Sequence, residues 1–204
     1  MTRRIVYSAA LVALVAATAL TITSVSTPKW VSYSATADPN HNVHDHIGLH
    51  RRCTSTSTSG SEICVHFPSP RQCDSTTDGG RFCAMWRTTG FLMSLAVVGE
   101  LASIVGFLVI MAGGKMKRES GWRILGVLLG LVAGVQFCAT ALVTYALDND
   151  DFFHVPGYRL DSSWYFATSS ACIAVLSAFG LVISAFVLPP EDGYEFLNDR
   201  SARV

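Results

Sequence analysis

Apolar residues along this chain gather into four blocks with almost no polar interruption: about Ile5 to Ser26, Phe91 to Ala112, Ile124 to Leu147 and Trp164 to Leu188. A helix needs about 20 apolar residues to cross about 30 Å of hydrocarbon, and each block is long enough. A helix resting on a soluble core would carry a polar stripe at helical spacing, which these blocks lack. In lipid a helix satisfies its own backbone groups, so the pattern predicts an all-α membrane protein with a four-transmembrane-helix bundle. The chain, residues 1–204, reads as one domain with loops over 27–87 and 148–163 and a tail over 189–204. Arg3 and Arg4 ahead of the first block, with Ser and Thr after it, also fit a secretory signal peptide. The apolar core of such a peptide is usually about 7–15 residues. The longer run here predicts a retained span; a mature start near Thr27 would leave three spans.

Between the first two blocks the pattern changes. Lys29 to Ala35, with Trp30, Val31 and Tyr33, and Glu62 to Phe67, around Cys64, read as strands. Thr54 to Ser61 is Ser/Thr-rich and reads as a turn or loop tip, and Pro68 to Gly80 is rich in Pro, Gly, Ser and Thr. A small twisted sheet is expected. It holds too little apolar surface to stand without staples.

Charge gives the spans a direction. Lys115, Lys117, Arg118 and Arg123 face only Glu119 between the second and third blocks. Asp148, Asp150, Asp151 and Asp161 face only Arg159 between the third and fourth. The positive-inside rule puts both termini in the cytosol and the loops 27–87 and 148–163 outside. Cys53, Cys64, Cys73 and Cys83 all fall in the long outer loop, where disulfides persist, and read as two bridges with three possible pairings. Cys138 and Cys172 fall inside spans. Only 15% of residues are charged and the formal net charge is zero, which excludes nucleic acid as an expected partner.

These residues support a resemblance. Trp30 is followed after seventeen residues by Gly48-Leu49, then His50, two residues, Cys53, ten residues and Cys64. This resembles the claudin and peripheral myelin protein superfamily, whose first outer loop carries W…GLW-x-x-C…C, and the four spans and loop order match. His50 stands where the family has its second tryptophan, and Arg87 where claudins carry an arginine. The pair Cys73 and Cys83, the runs around Gly48 to Cys53 and Phe82 to Thr88, Gly121-Trp122-Arg123 and Asp148-Asn149-Asp150 look most like the Clc-like (claudin-like) tetraspan proteins of nematodes and fungi. The resemblance implies a left-handed four-helix bundle with a disulfide-stapled extracellular antiparallel β-sheet. It also implies a Cys53–Cys64 bridge, leaving Cys73 with Cys83. It implies a plasma-membrane protein associating side by side, with adhesion, barrier formation or membrane-domain organisation as its role. An auxiliary subunit or modulator of an ion channel is the alternative, which makes other membrane proteins expected partners besides lipid and further copies of the chain.

Span three carries Gly126, Gly130 and Gly134, span one Ala9, Ala13 and Ala17, and span two Gly99 and Ser103. Small residues four apart let helices approach closely in lipid, here expected chiefly as helix packing inside the bundle, with lateral contact between molecules as the alternative. Glu100 lies mid-span, where a charge costs at least about 2.5–3.5 kcal/mol, so it should face inward or be protonated. Gln136, at similar depth on an antiparallel neighbour, is its expected hydrogen-bond partner; a pathway for ions would show more polar residues. His41, His44, His46 and His50, with Asp45, cluster in the outer loop without a ligand-like spacing, so no metal is expected. No GxSxG, HExxH or P-loop pattern is present, and neither enzyme activity nor a cofactor is expected. Beyond Pro189-Pro190, Tyr194 and Leu197 match a tyrosine-based sorting signal. Ala202, two residues before Val204, stands where a scaffold-binding tail has Ser or Thr.

Overall fold

The computed structural model describes residues 2–38, 41–56, 62–73, 77–150, 153 and 157–187. Helix α1 runs over Thr2–Ser26, followed by strands β1 (Val31–Asp38), β2 (His41–Ile47), β3 (Arg51–Thr56) and β4 (Glu62–His66). A short helix α2 (Pro70–Cys73) leads to α3 (Thr77–Ala112) and α4 (Gly114–Asn149), then β5 (Tyr158–Leu160) and α5 (Ser162–Val187). The sorting-signal residues Tyr194 and Leu197, and the tail around them, lie outside the described residues.

Among the described residues, four helices are long and apolar enough to cross a membrane. α1 packs on α3 and α5, and α4 packs on α3 and α5, so the helices form a ring of antiparallel neighbours. Their outward faces are as apolar as their inward ones: Val12, Val98, Val105, Val127, Leu176 and Phe179 are all exposed. Soluble surfaces rarely carry so much contiguous apolar area, and the four helices suggest a multi-pass membrane protein. Hydroxyls inside the helices donate one turn back, Thr18 to Leu14 O at 2.9 Å and Ser94 to Gly90 O at 2.9 Å, so they add no unpaired groups.

Two helices exceed their apolar blocks. α3 begins at Thr77, not near Phe91, and the last part of the expected loop 27–87 is therefore helical. α4 begins at Gly114, and Gly113 alone separates it from α3, so the expected loop before Ile124 is also helix. At 36 residues each, they span about 54 Å, well beyond a hydrocarbon core. The extension of α3 is held by packing: Phe82, Cys83 and Trp86 are buried against the sheet, while Arg81 and Arg87 are exposed.

The sheet is antiparallel in the order β4-β3-β2-β1-β5. It is seated on the bundle by alternation, since Val31 and Ile47 pair across β1 and β2 and both point into the core. Trp30 is fully buried and donates its indole N–H to Ser24 O at 2.9 Å, tying β1 to the end of α1. Trp86, from α3, donates to Gly48 O at 3.2 Å and meets the rings of Phe67 and Phe82. β2 is a departure from expectation. Its histidines read as solvated loop, yet Asp45 and Ile47 are buried on one face while His44 is exposed on the other. Part of the expected turn at 54–61 is likewise strand, through Thr56, and α2 lies within the stretch 68–80.

Candidate functional site

Each of the four long helices contributes one polar side chain to a single point inside the bundle: Thr21, Glu100, Gln136 and Ser170, all buried. Glu100 Oε1 accepts from Thr21 Oγ1 at 2.9 Å, Gln136 Nε2 at 2.9 Å and Ser170 Oγ at 3.1 Å. Thr21 Oγ1 and Ser170 Oγ are 2.7 Å apart, and both also reach Ala17 O, at 3.1 and 3.0 Å. Glu100 Oε2 and Gln136 Oε1 have no hydrogen-bond partner among the described residues. No cation pairs with Glu100 among them either. Thr21 and Ser170 were invisible as members of this cluster, because hydroxyl residues are common in apolar spans; their shared depth with Glu100 was the available signal.

Close helix approach occurs at Gly99, one of the expected small positions, and not at Gly130 or Gly134 of span three. A Cβ at Gly99 would stand 2.6 Å from Val132 Cγ2, so α3 and α4 meet there, but Cβ atoms at Gly130 and Gly134 would meet nothing within 4 Å. Packing inside this bundle is therefore not what those two do; both are exposed, and Gly126 is only at the margin, 3.8 Å from Val182. Ala9 is exposed on α1, whereas Ala17 and Ser103 are buried. Gly99→Leu should cost about 1–3 kcal/mol through overpacking. Gly130→Leu should leave thermal unfolding in detergent unchanged. Equal losses in the two variants would contradict this geometry.

At the other end, disulfides join Cys53 to Cys64 across β3 and β4, and Cys73 at the end of α2 to Cys83 in α3. They close loops of 11 and 10 residues, worth about 2–3 kcal/mol each. Converting Cys53 and Cys64 together to Ser should lower stability by that amount, read as a fall in denaturation midpoint. Arg87 is exposed, with Nη2 3.9 Å from Cys73 Sγ. Gly48 is required where it stands, because a Cβ would fall 2.5 Å from Pro28 Cα; Leu49 beside it is buried.

On the sheet, Asp45 accepts from Arg52 Nε at 2.8 and 3.0 Å and from Thr54 Oγ1 at 3.0 Å. The hydrogen bond to Asp45 raises the Arg52 guanidinium above its already high ordinary value, so Arg52 keeps its charge. Asp45→Ala should cost about 2–3 kcal/mol by leaving Arg52 half-buried without its acceptor, measured as a lower melting temperature. His46 Nδ1 lies 3.5 Å from Asp161 Oδ2, and His50 lies over Gly90. Among the described residues the imidazoles do not converge on a common point. The single metal-like grouping among the described residues is Cys53, Glu62 and Cys64, and its two sulfurs are consumed in a disulfide.

No family model matches the chain, and no curated protein matches it.

Proposed function

We propose that this chain is a claudin-like four-span protein of the plasma membrane that mediates lateral or cell–cell contacts, organising membrane domains, adhesion or a barrier. The observation that carries the reading is a disulfide-stapled antiparallel sheet seated by Trp30 and Trp86 on one end of a four-helix apolar bundle. The Trp30, Gly48-Leu49 and Cys53/Cys64 spacing resembles the claudin superfamily; in the fold Trp30 and Leu49 share the core between sheet and helices, Gly48 O accepts from the Trp86 indole, and Cys53–Cys64 joins β3 to β4. Charge supports an outward sheet with both termini cytosolic. Lys115, Lys117 and Arg118 belong to α4's first turns at the opposite end, while Asp148, Asp150 and Asp161 share the sheet's end. Two disulfides at that same end fit an oxidising compartment.

Lateral association is supported by Gly130 and Gly134, which turn a narrow, small-residue strip of α4 away from the chain's own helices. Expression in non-adherent cells tests the contact role: aggregation that depends on the protein, and that is lost in the Cys53→Ser/Cys64→Ser variant, is the expected outcome. Dispersed cells together with co-purification of a channel and altered currents would instead favour the auxiliary-subunit reading.

A further inference from the structure

Two clefts flank the turn between β2 and β3, and His50 and Arg51 line both. One, about 420 Å³, lies against the end of α1 at Ser26, Thr27 and Pro28. The other, about 400 Å³, lies against β4 at Cys64, Val65 and His66. Arg51 and His66 are direct cross-strand partners, so their side chains leave the sheet on the same face, and both are exposed. Among the described residues, the side chains of His50, Arg51 and His66 have no hydrogen bond or ion pair. The acid on that face of β4 is Glu62, four residues away, about 13 Å along the strand, with its carboxylate beside the Cys53 and Cys64 sulfurs. An exposed guanidinium with no acidic partner, beside two imidazoles that can donate hydrogen bonds, is an arrangement that a ligand anion completes. A guanidinium matches two oxygens of a phosphate at once.

The position of these clefts identifies the source of that anion. They sit where the polar sheet meets the apolar helix surface: His50 lies over Gly90 of α3, and Ser26 ends α1. One turn from Ser26 on the same face is Ile22, 45% exposed, and next to Gly90 is Phe91, 67% exposed. A headgroup held in the clefts would therefore have apolar surface directly below it for its chains.

We propose that Arg51, with His50 and His66, binds the phosphodiester of a phospholipid in the leaflet on the sheet's side, the acyl chains lying over Ile22 and Phe91. The proposal rests on the reading that the helices span a bilayer with the sheet at its surface. The test uses the purified full-length chain in non-ionic detergent and follows its melting temperature against dihexanoyl phosphatidylglycerol, with inorganic phosphate and dihexanoylglycerol as separate arms. The phospholipid should raise the melting temperature saturably, and neither phosphate nor the uncharged lipid should reproduce the rise. Arg51→Ala should raise the half-saturating concentration about tenfold, as loss of a bidentate contact implies, and His66→Ala less. Arg159→Ala, on the far edge strand β5, should respond like the wild type. An unchanged half-saturation in both Arg51→Ala and His66→Ala, or a full rise with inorganic phosphate or dihexanoylglycerol, would overturn the assignment. Failure of the spanning reading is seen separately, as release of the chain from membranes by alkaline carbonate without detergent.

Discussion

Trp30→Ala should cost about 3–5 kcal/mol, enough to keep most of the protein from reaching the cell surface. Trp30 is fully buried between β1 and the end of α1, so truncation opens a cavity where the chain passes from the bundle into the sheet. It also removes the indole N–H from Ser24 O, whose own hydroxyl is engaged with Ser163 O at 2.8 Å. Trp30→Phe separates the two contributions. It keeps most of the ring volume and forfeits the hydrogen bond, and should lose about 1–2 kcal/mol. Thermal unfolding in detergent, read beside the surface-delivered fraction, gives both numbers. A Trp30→Ala protein as stable as the wild type would mean that the sheet is held chiefly by Trp86 and the disulfides.

The second large effect lies in the polar cluster between the helices. Gln136→Leu should destabilise by about 1–3 kcal/mol, because it removes a donor from Glu100 Oε1 and leaves the carboxyl in an apolar bundle with two hydroxyl partners. Glu100→Gln, which keeps a polar amide among the same partners, should cost less than about 1 kcal/mol. The informative variant is the double Glu100→Leu/Gln136→Leu. Thr21 and Ser170 can both fall back on Ala17 O, so removing the acid and amide together strands no donor. The double variant should be more stable than Gln136→Leu alone, a coupling measured by a double-mutant cycle. Additive losses would contradict the idea that the four groups act as one unit. Normal assembly of Glu100→Gln with abolished function would give Glu100 a role beyond structure.

Much of this architecture was legible because lipid imposes a simple rule on sequence. Each block of apolar residues, the last as far as Val187, falls within one long helix, and counting inward along antiparallel spans was enough to place Glu100 and Gln136 at one depth. What escaped had physical reasons. The start of α3 reads as a loop because Gly79 and Gly80 and several polar residues precede the apolar block. Only Phe82 and Trp86, packed on the sheet, reveal its helical face. β2 hides because its buried position 45 carries an aspartate, made tolerable by Arg52 and Thr54 on the next strand. The glycines of span three show the limit most plainly. Spacing reveals that Gly126, Gly130 and Gly134 share a side of a helix, but not which way that side faces. The bundle uses Gly99 for close approach and leaves Gly130 and Gly134 outward. His50 is similar. It stands where the resemblance has a tryptophan, yet it is exposed beside Gly90, and the indole of Trp86 fills the seat between Gly48 and the helices.

The contact-forming role is tested most directly by counting copies of the protein in native membrane, through single-molecule photobleaching of a fluorescently tagged full-length chain. The wild type should give assemblies of two or more copies and Gly130→Leu single copies, with unchanged folding and delivery of that variant. Single copies of the wild type at every surface density would contradict it.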